Sequence, residues 1–448
     1  MGRAEAEVEE VLKNGITKVL TLPRLWGKKN ETFLKRNNMK LKIIFYLLVF
    51  QLVQNHLPGQ SLQELQALAL EYNFGIKSLK QEYASSLERI GQVSDLPDPE
   101  VNAGFFVLPP ETRLGPQRVV LGASQMLPWK GTIPAREALV SSKASENLHR
   151  IDKEQLKVLY NVKVAYLKLY ELIKTKEIIK EKIPLYKTLE SLTLVKTESG
   201  KAVLSDVLLV QLKIRELEQQ LKIIDNQKAK SMAAINSTIG RPVNTEIRID
   251  SSFLKAEPFA SKSAITNSVS ENHPSIKLLQ SQQETAQRSI DLNVLNGKPS
   301  IGVGLDYILV GKRDDLFPEN NGRDILIPKV KMKIPLYRKK YTAKTQEEQL
   351  KIAALEHKTA DVQLEFSALI EQAFTDFEDA ELKIELYEEQ KKLLESIIEI
   401  QTEKYSQSGN NFEELLRLEN DLLAYDLKLL KAIVQSHLAQ ARIESLML

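Results

Sequence analysis

Histidines are the first residues to test for metal or acid–base chemistry, and in this chain they are few and scattered. The five are His56, His149, His273, His357 and His437, and no two of them form an HExxH motif or an i, i+4 pair. The chain contains no cysteine, which excludes disulfide bonds, thiol catalysis and lipid attachment at an N-terminal cysteine. We therefore predict no catalytic residue, no cofactor-binding residue and no metal site, and we expect a protein that is not an enzyme.

Three lysines, Lys329, Lys331 and Lys333, recur at every second position beside Val330 and Met332. This alternation predicts a β-strand with a charged face that meets water and an apolar face on the other side. An upstream run alternates in the same way, with apolar residues at Ile301, Val303, Leu305, Tyr307 and Leu309. Such runs are typical of a transmembrane β-barrel wall, and an antiparallel sheet on a soluble core is the alternative.

The composition fits an ordered, helix-rich chain: 43% of the 448 residues are hydrophobic, 27% are charged and the formal net charge is +3. A charge this close to neutral gives no case for nucleic-acid binding, which needs a basic face.

Residues 39–60 combine a basic start, an apolar core and a polar end, which is typical of a signal peptide; a buried hydrophobic helix is the alternative. Export of the chain, and the lack of another hydrophobic core that a sheet could cover, favour the transmembrane β-barrel over an antiparallel sheet on a soluble core.

Residues 1–38 precede this signal, although a signal peptide should come first. We therefore predict that translation starts at Met39 and that residues 1–38 are a non-native N-terminal extension. A genuine extension is the alternative.

Two long helical hairpins account for most of the remaining chain. Residues 339–407 contain no proline or glycine, which predicts a helix on the order of 100 Å long. An earlier hairpin runs over residues 134–198 and returns to residue 239, and Pro184 is predicted to kink its first arm. The arms reverse at Ser199-Gly200-Lys201 and Ser408-Gly409-Asn410, where glycine adopts positive φ without steric cost.

The second long arm carries two apolar lines. One follows alternating four- and three-residue steps through Phe366, Ile370, Ala373, Phe377, Ala380, Ile384, Tyr387, Leu394, Ile398 and Tyr405. The other contains Leu382, Leu386, Leu393, Ile397 and Ile400. Two seams on one helix predict a neighbour on each side, as in a wall of helices.

The chain after residue 60 is predicted to be an internal duplication. Glu71 corresponds to Glu271, Ile76 to Ile276, Leu79 to Leu279, Pro99 to Pro299 and Gly104 to Gly304. Each copy is predicted to contain a helix, two strands, a long helix, a glycine turn and a returning helix. Four strands cannot close a barrel, since spanning barrels need about eight or more, so if these strands cross a membrane, copies of the chain must share one barrel. The lysine face favours three copies, which would leave a water-filled lumen.

Residues 61–448 resemble the TolC-like outer-membrane efflux protein family, the outer-membrane factors of tripartite efflux pumps. The resemblance rests on the duplication and on Asn272-His273-Pro274, Leu127-Pro128-Trp129, Ile334-Pro335-Leu336-Tyr337 and residues 200–208. It implies a mainly α fold with a small β part, in which duplicated αα-hairpins form a periplasmic helical barrel. Four strands per chain would contribute to a trimeric twelve-stranded outer-membrane β-barrel. The implied domains are a first repeat over 61–242, a linker or equatorial segment over 243–262 and a second repeat over 263–448.

The resemblance also implies a passive exit duct in the outer membrane, with a long periplasmic portion, that conducts drugs or metal cations. The implied partners are two further copies in a homotrimer, a periplasmic adaptor (membrane fusion protein), an inner-membrane transporter and outer-membrane lipid. Two features depart from the family: the lipidated N-terminal cysteine is missing, and Leu415 and Leu418 replace a common acidic pair. The alternative function is an exported non-channel coiled-coil scaffold or a periplasmic adaptor.

Within this resemblance the hairpin turns become the periplasmic tips. Residues Ser199, Gly200, Lys201, Ser408, Gly409 and Asn410 are expected to contact the adaptor, and glycines that merely end a helix are the alternative. Asp206, Glu413, Glu414 and Glu419 are candidates for a narrow, cation-preferring periplasmic gate. Acidic residues also favour the first turn of any helix, which is the alternative for these four. Lys329, Lys331 and Lys333 are expected to face the barrel lumen.

Overall fold

The computed structural model describes residues 60–249, 253–259, 261–408 and 411–447. The N-terminal extension and, except for Gln60, the signal peptide predicted from the sequence lie outside these residues. The helices are α1 (Leu62–Tyr72), α2 (Phe74–Val93), α3 (Thr132–Glu198), α4 (Leu204–Ile239), α5 (Lys262–Asn272), α6 (Pro274–Asn296), α7 (Lys339–Ser408) and α8 (Phe412–Glu444). The strands are β1 (Glu100–Phe105), β2 (Glu111–Thr112), β3 (Gly115–Leu127), β4 (Ser300–Val310) and β5 (Ile325–Lys333).

Each half of the chain begins with two short helices where the sequence predicts one. The division falls at Asn73 in the first half and at His273 in the second. The Asn73 side chain accepts a hydrogen bond from the Ile76 N–H at 2.9 Å, and the His273 ring accepts one from the Ser275 N–H at 3.1 Å. Both side chains therefore cap a new helix by satisfying an N–H group that its first turn leaves free.

The two long outgoing helices form as the sequence predicts, with α3 spanning 67 residues and α7 spanning 70. Helix α3 continues through Pro184, so the proline does not end it. The first apolar line of α7 is buried except at Tyr387 and Ile398, which are half-buried. This line therefore packs within the chain.

Four long helices lie side by side in the order α4, α3, α8 and α7. A buried cluster near their hairpin ends takes Tyr186 from α3, Leu217 from α4, Tyr405 from α7 and Leu415 from α8. Leu415 is 1% exposed and Leu418 is 4% exposed. The two leucines that depart from the expected acidic pair are thus core residues.

The outer edges of this four-helix layer are apolar and exposed. On α7 the second apolar line stays open, with Leu382 66% and Leu393 61% exposed. On α4 at the opposite edge, Leu204 is 61%, Leu208 57% and Leu212 66% exposed. Apolar stripes of this length in water mark surfaces that pack against another chain.

The strands form one antiparallel sheet in the order β1-β3-β4-β5, and the two-residue β2 pairs with β3 as a strand that the sequence did not predict. Strands β1 and β5 lie at the two edges of the sheet. The chain joins β3 to α3 and β5 to α7 within a few residues, so the long helices start at one end of the sheet.

A segment between the two halves, residues 253–259, crosses the helices and ties the halves together. The Phe253 N–H donates to the Tyr170 hydroxyl of α3 at 3.1 Å, and the two rings meet edge to face with centroids 4.8 Å apart. The Ala256 N–H donates to Ser436 Oγ of α8 at 3.2 Å. The segment therefore satisfies its own backbone groups with side chains of both hairpins.

Candidate functional site

The cross-strand register sorts the sheet residues onto two faces. Glu100 lies opposite Ser124, Ser124 opposite Gly304 and Gly304 opposite Lys329. Directly opposed residues in a sheet point to the same side, so this row of four shares one face. The rows on either side extend the same polar face with Asn102, Gly122, Met126, Ser300, Gly302, Asp306, Lys331 and Lys333.

The lysines of the polar face differ in how their charge is balanced. Lys329 forms an ion pair with Asp306, whose side chain is buried. Lys331 Nζ donates to Ser124 Oγ at 2.8 Å and lies 3.9 Å from a Glu100 carboxylate oxygen. Within the described residues, Lys333 has no carboxylate within 4.0 Å. Three lysines against two carboxylates leave this face with a net positive charge.

Gly122 leaves the room that the polar side chains need. A Cβ at this position would lie 2.3 Å from Asn102 Oδ1 and 2.6 Å from Asp306 Oδ1. Because both atoms belong to side chains that lie over the glycine, any larger residue would force Asn102 and Asp306 to shift.

The opposite face of the sheet is apolar and open. Val101 is 80%, Val303 50%, Val330 77% and Met332 60% exposed. The face continues with Phe105, Leu121, Leu127, Ile301, Leu305, Tyr307, Leu309 and Leu326, which are all exposed. A sheet that is charged on one side and hydrocarbon on the other separates water from an apolar medium or from another protein surface.

The first hairpin tip has a defined backbone geometry. Gly200 adopts a φ of 75°, and its N–H and that of Lys201 donate to the carbonyls of Thr197 and Lys196 at 3.0 and 2.8 Å. This is the Schellman arrangement that ends a helix with a left-handed residue. Lys201 is exposed beside it. At the second tip Ser408 ends α7, while Gly409 and Asn410 lie outside the described residues.

A buried lysine joins the two hairpins close to these tips. Lys196 of α3 is 8% exposed, and its Nζ donates to the carbonyls of Tyr405 at 2.7 Å and Ser406 at 3.1 Å. Both carbonyls belong to the last turn of α7, where backbone acceptors have no partner within their own helix. A cation at a helix C-terminus also opposes the negative end of the helix dipole. Lys196 thus caps the end of α7 from the neighbouring hairpin.

The four acidic gate candidates do not form one cluster within the chain. Glu413 is exposed, Asp206 is half-buried, and Glu414 forms an ion pair with Arg417 at 2.7 Å. Glu419 is only 5% exposed and lies inside the helix layer. An interior carboxyl cannot line an entrance, so Glu419 does not fit the predicted ring, and the other three remain candidates.

Burial raises the pKa of the Glu419 carboxyl above its ordinary value, and the nearby Lys182 opposes this shift. Its Oε2 is buried and has no hydrogen-bond partner among the described residues. A carboxyl whose pKa is higher in the folded protein than in the unfolded chain contributes to stability. The contribution is complete at pH values below the pKa of the unfolded chain, and it is lost as the pH rises through the pKa of the folded protein. We therefore expect thermal stability to fall across that interval as pH increases.

The variant Glu419→Gln should remove this pH dependence and be more stable than the wild type at pH 7, because an amide of the same shape has no charged form to bury. Thermal unfolding in detergent between pH 4 and pH 8 measures the effect. Glu413→Gln, an exposed acid on the same helix, is the matched control. Identical pH profiles for the two variants would contradict the assignment.

Two histidines lie in structural positions, where His273 is buried and His437 is half-buried. Burial lowers the pKa of His273 to about 4, and its ring packs against Phe366 with centroids 4.3 Å apart. Burial also lowers the pKa of His437, whose Nε2 lies 2.6 Å from the Leu254 carbonyl oxygen. Among the described residues no group of three or more His, Cys, Asp or Glu side chains is arranged to hold a metal ion. None of the helices in the described part of the chain is long and apolar enough to cross a membrane.

Sequence reasoning missed the ion-pair partner of Lys329 and the role of Lys196. Asp306 stands at a polar position of an alternating strand, and the register places it on the same face as Lys329, one row further along. Diagonal neighbours of this kind are within reach of a lysine side chain, so the ion pair could have been anticipated. Lys196 carries no such signal, because a lysine in the last turn of a helix is common. Its partners lie more than 200 residues away along the chain.

Solved structures share this arrangement. The outer-membrane channel OprN is similar with a TM-score of 0.70 and 12% sequence identity, covering 86% of this chain and 89% of that one. The CmeC outer-membrane channel of Campylobacter jejuni has a TM-score of 0.69 and 13% identity, covering 87% and 85%. The outer-membrane protein VceC of Vibrio cholerae has a TM-score of 0.68 and 14% identity, covering 86% and 95%. The chain has the fold of these outer-membrane channels.

The outer-membrane channel fold confirms the predicted fold class: long helical hairpins occur twice, together with a small antiparallel sheet. No protein-family model matches the sequence. No curated protein matches it either. At 12–14% identity the channel fold is shared while individual side chains differ.

Proposed function

We propose that the chain is the outer-membrane exit duct of a tripartite efflux system, and that it passes cargo passively. The observation that carries this proposal is the two-faced sheet. Its apolar side chains are exposed on one face, and its lysines and small residues lie on the other. A barrel wall needs this division, with hydrocarbon toward lipid and polar groups toward a water-filled lumen.

Three copies would complete the duct as a homotrimer. One chain offers four strands along its sheet with open edges at β1 and β5. Unpaired edges in a membrane are costly, and joining β5 of one copy to β1 of the next removes them. The exposed leucine stripes of α4 and α7 lie at the matching edges of the helical layer. The same cyclic arrangement would therefore bury both kinds of edge and close a twelve-stranded barrel above a helical barrel in the periplasm.

Reconstitution of the purified full-length chain tests this proposal. We expect a trimer by light scattering after subtraction of bound detergent, and stepwise conductance when the protein is added to a planar lipid bilayer. Protein that remains monomeric and soluble after detergent removal, without conductance, would instead support an exported scaffold.

The hairpin tips are the proposed docking points for a periplasmic adaptor, which in turn would meet an inner-membrane transporter. A Cβ at residue 200 would meet no other atom within 4 Å, so Gly200→Val adds only the backbone strain of a positive φ, about 1–2 kcal/mol. The trimer should therefore survive this change while the tip surface is altered. We expect amine cross-linking in cells through Lys201 to capture an adaptor in the wild type and to lose it in Gly200→Val.

The matched control for this experiment is cross-linking through Lys222, an exposed lysine further along α4. Equal adaptor capture through Lys201 in both proteins would mean that the first tip is not part of the docking site.

The cargo predicted from the resemblance is drugs or metal cations. The net positive charge of the polar face is unfavourable for free metal cations, so drug-like molecules are the better proposal.

A further inference from the structure

A cavity of about 620 Å³ lies where the sheet meets the helices. Its wall includes Glu100, Met126, Ser300 and Lys333, which all belong to the polar face of the sheet. The remaining wall comes from the starts of α3 and α7, from the end of α6 and from the loops that join these helices and α2 to the strands. The cavity therefore opens on the side of the sheet that the proposed duct would present to its lumen.

Basic side chains outnumber acidic ones in the cavity wall. The charged residues are Arg136, Lys298, Lys333 and Lys340 against Asp98 and Glu100. In the part of the chain that the structure describes, none of the four basic groups has a carboxylate within 4.0 Å. The neighbouring lysines Lys329 and Lys344, by contrast, are ion-paired. The cavity thus concentrates positive charge that the protein itself leaves unbalanced.

The start of α3 adds an unused hydrogen-bonding group to the same wall. Thr132 is 2% exposed, lines the cavity, and its Oγ1 has no hydrogen-bond partner among the described residues. The preceding residue, Gly131, gives the helix no side-chain cap. Arg136 lies one turn further along and also lines the cavity. A helix N-terminus without a cap, a buried free hydroxyl and a guanidinium form a set of donors suited to an anion.

Aromatic rings complete the cavity wall. Trp129 is 43% and Tyr337 is 86% exposed, and both line the cavity. Tyr341 also lines it, with the Lys340 ammonium 4.9 Å from the centre of its ring. Rings beside basic groups favour a ligand that joins an acidic group to a flat apolar body.

We propose that this cavity is a binding site for organic anions, specifically aromatic carboxylates or sulfonates that pass along the polar face. Arg136 and Lys333 hold the acid group, Thr132 donates a hydrogen bond to it, and Trp129 and Tyr341 contact the aromatic body. The passage of such anions as cargo rests on the proposed duct function. The existence of the site does not rest on that function, because binding can be measured without transport.

Calorimetric titration of naphthalene-1-sulfonate into the full-length protein in zwitterionic nanodiscs tests the site, with empty nanodiscs as the blank. We expect saturable binding at one site per chain. Arg136→Gln and Lys333→Gln should each weaken it about tenfold, since each removes a charge-assisted contact. Thr132→Val, which keeps the side-chain shape, should weaken binding by about tenfold, because it removes a hydrogen bond to a charged group.

Matched controls separate this site from general attraction to a basic protein. Lys329→Gln removes a lysine from the same sheet face outside the cavity and should leave binding within about twofold, because that charge is already paired. The neutral analogue 1-naphthalenemethanol should not bind detectably. Equal losses in Lys329→Gln and Lys333→Gln, or undiminished binding by Arg136→Gln, would overturn the proposal.

A second titrant distinguishes cargo from lipid. Binding of dioctanoylphosphatidylglycerol in the cavity, without binding of naphthalene-1-sulfonate, would overturn the cargo assignment in favour of an anionic lipid headgroup. Planar-bilayer recordings then separate the two proposals. If the protein conducts ions, naphthalene-1-sulfonate does not reduce the conductance and calorimetry detects no binding, the proposed site is contradicted and the proposed duct is not. If binding is saturable but the protein shows no conductance, the proposed duct is contradicted and the site is not.

Discussion

Replacing Val330 by arginine is expected to remove most of the protein from the outer membrane. Val330 is 77% exposed on the apolar face, directly opposite Val303 on the neighbouring strand. An arginine on the lipid side of a barrel costs about 2–4 kcal/mol near the middle of the bilayer. Three copies would carry the change together, so the total cost of about 6–12 kcal/mol is comparable to the whole stability of a typical single domain.

The matched control is Ile327→Arg on the same strand. Ile327 is 38% exposed and lies opposite Asp306, so its side chain points to the polar face. The new guanidinium would meet water and a carboxylate there. We expect the amount of trimer in the outer-membrane fraction to fall more than tenfold for Val330→Arg and to stay within about twofold for Ile327→Arg. Equal losses would mean that the two faces are misassigned.

The sequence was sufficient where structure depends on local pattern. Alternation in residues 301–309 and 329–333 predicted both faces of β4 and β5, because successive strand residues point to opposite sides. The absence of proline and glycine predicted α7, and its first apolar line is buried except at Tyr387 and Ile398. The second line is exposed in the single chain, which fits a neighbour that one chain cannot supply.

Sequence reasoning failed where partners are distant or where a cap decides the boundary. The division at Asn73 depends on a side chain that accepts from the Ile76 N–H, and the helical pattern on either side hides it. Glu419 follows acidic residues of a first helical turn, yet the packing of α8 against its neighbours buries it. The cavity at the sheet-to-helix joint draws on four separate segments from both repeats, so no spacing in the sequence could have predicted it.

Replacing Lys196 by methionine is expected to loosen the attachment between the two hairpin tips while the fold remains. Methionine keeps a long apolar stem in the buried site and removes only the ammonium group. The Tyr405 and Ser406 carbonyls would then lose the donor that lies 2.7 and 3.1 Å from them. A hydrogen bond to a charged group contributes about 1.5–3 kcal/mol, so opening of the last turn of α7 should become at least tenfold more frequent.

Hydrogen exchange measured by mass spectrometry tests this expectation directly. Amides in residues 400–407 should exchange at least tenfold faster in Lys196→Met, whereas those around Phe366 and Ile370 should not change, since the seam there is buried independently of the tip. Lys201→Met, an exposed lysine at the same tip, is the matched control and should leave exchange unaltered. Uniformly faster exchange along the whole of α7 would mean that Lys196 supports global stability. Unchanged exchange would mean that Tyr405 packing alone holds the hairpins together, because its ring stays buried against Phe412 with centroids 5.4 Å apart.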